Sequence, residues 1–154
     1  VPPLRLKELE DHLLLLFTGF TRRASEVAKQ QVAEMDGHEE AMTDMMAMAD
    51  EGFKLLSDPD APIEDFLGML NEAWYVKRNL SPAITDERID DIYSKIVNAG
   101  AVGAKLVGAG GGGFFLVAVH PEDRESFLRE FEGWVWFPVK FANEGSRVIF
   151  QNDG

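Results

Sequence analysis

The chain has 154 residues, 45% of them hydrophobic, which is enough for one domain with a real core and too little for two. Its 15 Lys+Arg against 27 Asp+Glu give a formal net charge of −12, and a surface that acidic repels nucleic-acid backbones and anionic lipid. The absence of cysteine excludes disulfides, thiolate metal sites and cysteine nucleophiles, and suits a reducing, cytoplasmic setting.

The apolar run at 12–17 (HLLLLF) predicts a buried strand, broken by Thr18-Gly19-Phe20-Thr21. Thr21 is placed to cap a helix reaching about residue 35, with Ala24, Val27 and Ala28 on one side. A second helix is expected over 38–56, where Met42, Met45, Met46, Ala49, Phe53 and Leu56 form one apolar stripe, read as core rather than as a peptide groove. Residues 34–65 carry eleven acids and one base, Lys54, and read as a solvated helix face with no cation-loop spacing. Ile63, Phe66, Leu67, Leu70, Ala73 and Trp74 predict a third helix. Thr85 is expected to cap a fourth, facing the core with Ile89, Ile92, Tyr93, Ile96 and Val97 and stopped by Gly100.

The last third reads as strand-rich. Short strands are expected over 104–107 and 114–119, then a helix opened by Pro121 that carries Phe127, Leu128 and Phe131. A strand over 134–141 carries Pro138, which argues for an edge or a bulge, and a turn at 143–145 leads to a final strand at 147–150. With the middle helices treated as an insertion, this order gives an α+β fold of the ferredoxin-like, split βαβ plan, with an antiparallel sheet and helices on one face. His12, His38 and His120 show no ligand spacing, so no metal site is expected.

Half of the 14 glycines fall between Gly100 and Gly113. The run Gly108-Ala109-Gly110-Gly111-Gly112-Gly113 fits G-x-G-x-x-G by letter, yet a strand follows it where a dinucleotide fingerprint needs a helix. No GK[ST] makes it a Walker loop, and the partner motifs of protein kinases are missing. Six residues almost without side chains let backbone come close to a phosphate or to another loop. Thr21 and Arg22, at a strand end running into a helix, form a natural anion site, and Lys105 stands just ahead of the glycine run.

The stretch 103–116 (GAKLVGAGGGGFFL) resembles the third motif of the GHMP small-molecule kinases, the superfamily of galactokinase, homoserine kinase and mevalonate kinase. Residues 13–31 (LLLLFTGFTRRASEVAKQQ), the loop 79–82 (NLSP), 83–105 and the closing 145–150 (GSRVIF) extend the similarity over nearly the whole chain. They point to sugar kinases of the D-glycero-D-manno-heptose 7-phosphate kinase type.

The resemblance implies that residues 1–154 are the C-terminal domain of such an enzyme. The N-terminal domain, with its P-x-x-x-G-L-G-S-S-type loop and acidic base, has no counterpart here, and a chain opening Val-Pro-Pro reads as an excerpt of something longer. The whole enzyme would move the γ-phosphoryl of ATP to a hydroxyl of a sugar or sugar phosphate, with ATP and Mg²⁺ held mainly by the other domain. Gly108 to Gly113 would lie at the domain cleft, with Thr21, Arg22 and Lys105 facing substrate; no catalytic base is assigned. The implied partners are the sugar substrate and the N-terminal domain, with homo-oligomerisation left open and neither nucleic acid nor membrane expected. Two rivals remain: a non-catalytic ferredoxin-like small-ligand or regulatory module, and an interaction domain built on the methionine stripe.

Overall fold

A computed structural model describes residues 1–33, 37–142 and 145, excepting the side chain of Gln31. Among the described residues, six helices and four strands follow in the order α1 (Pro3–His12), β1 (Leu13–Phe17), α2 (Ala24–Ala33), α3 (Glu39–Ser57), α4 (Ile63–Arg78), α5 (Glu87–Asn98), β2 (Gly103–Leu106), β3 (Phe114–Ala118), α6 (Arg124–Arg129) and β4 (Trp136–Pro138). All strand pairs are antiparallel, in the spatial order β2-β3-β1-β4. That is the ferredoxin-like arrangement, with β1 and β3 in the centre in the register Leu13↔Ala118 to Phe17↔Phe114.

Period-two alternation gives the sheet two apolar faces. Leu16, Ala104, Leu106, Phe115 and Val117 bury against Ile89 and Ile96 of α5 and Phe127 of α6, with Trp74 closing the cluster. On the opposite face Leu13 and Ala118 pack with Leu9 of α1 and with Ile63, Leu67 and Leu70 of α4. Helices therefore serve both faces, where the sequence suggests one.

The reason is α4, which lies along the free edge of β2. Asn71 Nδ2 donates to Val102 O (3.0 Å), Asn71 Oδ1 accepts from Ala104 N (2.9 Å), and Lys77 Nζ donates to Leu106 O (3.3 Å). Three backbone groups that an edge strand would leave to water are satisfied by one helix.

Several elements depart from the sequence reading. Helix α1 is unforeseen: Pro3 starts it, and it buries Arg5, Leu9 and His12, two of which are not apolar. The Arg5 guanidinium is taken up by the carbonyls of Asp58 (2.8 Å) and Ala61 (2.6 Å) in the α3–α4 connection. Helix α2 starts at Ala24 rather than at a Thr21 cap, because Arg23 O accepts its first amide bonds, from Glu26 and Val27. Val27 buries, whereas Ala24 and Ala28 stay exposed.

The α3 stripe is also rotated. Gly52 buries against Phe66, while Met46 (72%) and Phe53 (66%) are exposed, since α3 rests on α4 rather than on the sheet. Asp86, not Thr85, caps α5, accepting from Ile89 N (3.1 Å), and Thr85 Oγ1 donates to Asp90 (2.6 Å). Helix α6 follows a turn at 121–123 and ends before Phe131. Strand β4 is three residues long and stops at Pro138, which has no N–H to continue the ladder. The final strand expected over 147–150, turn residues 143 and 144, and the expected end of the first helix near 35 lie outside the described residues.

Candidate functional site

The glycine loop joins β2 to β3, and its conformation requires glycine. Gly108, Gly110, Gly111, Gly112 and Gly113 all take positive φ, from +72° to +137°. The inner three are also held where a side chain would collide. A Cβ would meet Ile84 Cα at 2.9 Å from Gly110, Arg22 Cδ at 2.9 Å from Gly111, and Phe20 O at 2.8 Å from Gly112. The loop is thus inserted between the segment before α5 and the segment between β1 and α2.

Hydrogen bonds fix it there. Gly111 N donates to Ile84 O (2.8 Å), Gly113 N to Phe20 O (3.0 Å), and Thr18 N to Gly113 O (2.9 Å). The buried Thr18 hydroxyl lies 3.0 Å from both Phe20 O and Gly113 O and accepts from Gly113 N at 3.1 Å. Lys77 Nζ donates to Gly108 O at the start of the loop. Two of the loop's amides are committed to packing, whereas those of Gly110 and Gly112 donate to no atom of the described residues.

Arg22 stands over this loop. Its Cδ packs on Gly111, and its Nη2 lies 3.4 Å from Asp86 Oδ2. Asp86 Oδ2 also accepts from Arg88 Nη2 at 2.8 Å, and Arg88 lies over the Phe20 ring, 4.3 Å from its centroid. The Arg88 hydrogen bond, more than any other contact, holds the Asp86 carboxyl below the usual carboxylate range. The result is two largely exposed guanidiniums sharing one carboxylate beside two unpartnered amides, an arrangement able to receive an oxyanion. Thr21 sits in the adjoining segment before α2, exposed and with no partner among the described residues.

Arg88 escapes the sequence reading, although a signal existed. A cation in the first turn of a helix opposes the macrodipole and asks for another reason to be there. The Lys105 side chain lines a cavity of about 210 Å³ with Met45, Met48, Phe66, Met69 and Ala73, between α3 and α4. Burial lowers both of the lysines on this side. Lys77 falls to about 8, through desolvation first and the charge of Lys105 second, and Lys105 falls through desolvation.

Beside the loop, at the end of the central strands, Phe17, Phe114 and Phe137 adjoin in sequence, tilted and then edge to face, with centroids 5.2 and 6.0 Å apart, and Phe137 remains half exposed. Among the described residues no helix is long and apolar enough to cross a membrane.

Residues 62–134 match the family model described as GHMP kinases C terminal. The D-glycero-alpha-D-manno-heptose 7-phosphate kinase of Campylobacter jejuni is 29% identical, over 94% of this chain and 45% of its own length. The bifunctional fucokinase/GDP-fucose pyrophosphorylase of Arabidopsis thaliana is also 29% identical, over 92% of this chain and 14% of its own. The mevalonate kinase structure from Methanococcus jannaschii superposes with a TM-score of 0.69 at 24% identity, covering 86% of this chain and 41% of that one, and supports the fold. The chain thus spans less than half the length of the curated relatives it matches.

Proposed function

From the match of residues 62–134 to the GHMP kinases C-terminal model, we propose that the chain belongs to that family and that all of residues 1–154 serve as the C-terminal domain of an ATP-dependent sugar kinase. The enzyme transfers the γ-phosphoryl of ATP to a hydroxyl of a sugar or sugar phosphate, with heptose 7-phosphate the first candidate. The observation that carries the acceptor is the pair Arg22 and Arg88, joined through Asp86, with Arg22 packed on Gly111; Thr21, the residue before Arg22, is proposed as a further donor. Two guanidiniums suit an acceptor that already bears a phosphate better than a neutral sugar. The name of the Campylobacter relative agrees with that chemistry.

The residues present fit phosphate oxygens and not a metal. The carboxylate of the cluster, Asp86, is already held by Arg22, Arg88 and the Ile89 amide. ATP supplies the phosphoryl group, and its Mg²⁺ falls to an N-terminal domain. This chain's own share is to hold the acceptor's anionic end and to close the cleft, with the free amides of Gly110 and Gly112 turned to phosphate oxygens. The Phe17–Phe114–Phe137 cluster beside the loop suits the docking of that second domain. The reading is tested by steady-state kinetics of the whole enzyme with ATP and heptose 7-phosphate, heptose and fucose. Preference for the phosphorylated sugar, reduced when Arg22 is replaced, supports it; equal KM values across the sugars and variants reject it. Expressed alone, residues 1–154 should fold and consume no ATP with any of these sugars.

A further inference from the structure

Three groups suited to a divalent transition ion meet where α1 ends, α4 begins and the chain leaves β3. His12 closes α1, Glu64 is the second residue of α4, and His120 lies just beyond β3. One donor atom from each lies within 4.8 Å of the others. Donors around a tetrahedral zinc, with bonds of ~2.0–2.1 Å, stand roughly 3.3 Å apart, so closure on an ion draws the three side chains slightly together.

The histidines are already positioned. Val119 N donates to His12 O at 3.0 Å, and the two rings meet edge to face with centroids 5.7 Å apart. His12 is buried and its Nδ1 lies 2.8 Å from Glu8 O. A carbonyl can only accept, so Nδ1 carries the proton and Nε2 keeps its lone pair. A ring nitrogen anchored on a carbonyl while the other is left to coordinate is the usual arrangement of a metal-bound histidine. His120 has no hydrogen-bond or ion-pair partner for its ring among the described residues.

We propose that His12, Glu64 and His120 form a zinc site that ties α1, α4 and the exit of β3 together, apart from the glycine loop and Arg22. Two imidazoles and one carboxylate select zinc over magnesium or calcium, which prefer all-oxygen donors, and leave a fourth position to water. The three ligands come from segments far apart in sequence, all bordering the cluster of Leu9, Leu13 and Ile63, so the ion would act as a cross-link of that layer.

The test is zinc titration of the metal-stripped protein, free of any polyhistidine tag, followed by calorimetry and thermal unfolding. One zinc per chain at micromolar free ion is expected, with a rise in Tm of about 5–10 °C at a hundredfold excess over Kd. Magnesium should give neither signal. His120→Ala and Glu64→Gln should each weaken zinc binding at least tenfold, while His38→Ala leaves it unchanged. Should His120→Ala fail to fold, Glu64→Gln, on an exposed side chain, decides alone. Absence of stoichiometric zinc at micromolar concentration, or wild-type affinity in the folded variants, overturns the proposal.

Discussion

A Cβ placed on Gly103 would collide with the carbonyl oxygen of Leu67. Helix α4 reaches the backbone of β2 because that position has no side chain. Gly103→Ala must therefore push the helix off the strand, and we expect a loss of ~3 kcal/mol or more, read as the shift in a urea midpoint at unchanged slope. A loss below ~1 kcal/mol would mean that the helix yields freely.

Asn71 works at the same seam. It bonds Val102 O and Ala104 N, and its Oδ1 accepts from Tyr93 OH at 3.1 Å. Asn71→Leu leaves those partners unsatisfied in a half-buried place and should cost about 2–3 kcal/mol. Amide exchange at Ala104 should accelerate more than at Leu116, inside the central pair, which separates local loosening of the edge from global destabilisation.

Arg22→Ala should raise the KM of the whole enzyme for a phosphorylated sugar by roughly 10–100-fold with kcat nearly kept, the loss of one charge-assisted contact made in ground and transition states alike. Arg88→Ala should act in the same direction, and it leaves Asp86 with Arg22 and the Ile89 amide alone. An unchanged KM in both would remove the anion from this cluster.

Gly111→Ala should act through Arg22 as well as through strain. At φ +72° with Arg22 Cδ 2.9 Å away, the new methyl displaces the arginine. Gly113→Ala has a φ of +101° and nothing within 4 Å, so it isolates the backbone cost of about 1–2 kcal/mol. Both should lower Tm, and only Gly111→Ala should also raise the acceptor KM.

Lys77 gives a pH signature. Its folded value of about 8 lies below the ordinary 10.5, so the unfolded chain holds this proton more tightly. The resulting penalty on the fold is complete below pH ~8 and disappears as the pH rises toward ~10.5, and stability should climb across that window. Lys105, lowered in the same direction, adds to the slope. Tyr93, whose phenol is raised by burial, opposes it only near the alkaline end. Urea unfolding at about pH 7 and about pH 9.5 should show the rise in the parent, and Lys77→Met should flatten it.

The central strands and the glycine loop were legible because their signals are local: LLLLF and FFLVA are apolar throughout, and a run of glycines has few uses. Helix α1 was not, because its buried residues include an arginine and a histidine whose partners lie at the far end of α3 and beyond β3. The exposed side of α3 was misplaced by one position in the turn, since periodicity marks an apolar stripe without saying how wide a surface awaits it. Arg88 and the His12–Glu64–His120 cluster depend on which loops the topology brings together, and nothing in the spacing of those residues records that.

The helix laid along β2 also governs what this sheet can recruit. A strand with its amides and carbonyls open is a template for a fifth strand, whether from a neighbouring molecule or from a misfolded copy. Here Asn71 and Lys77 occupy the sites at Val102, Ala104 and Leu106 where such a strand would dock. Growth of the sheet on that side first requires α4 to detach, so protection against fibrillar assembly rests on the same contacts that hold the edge in place.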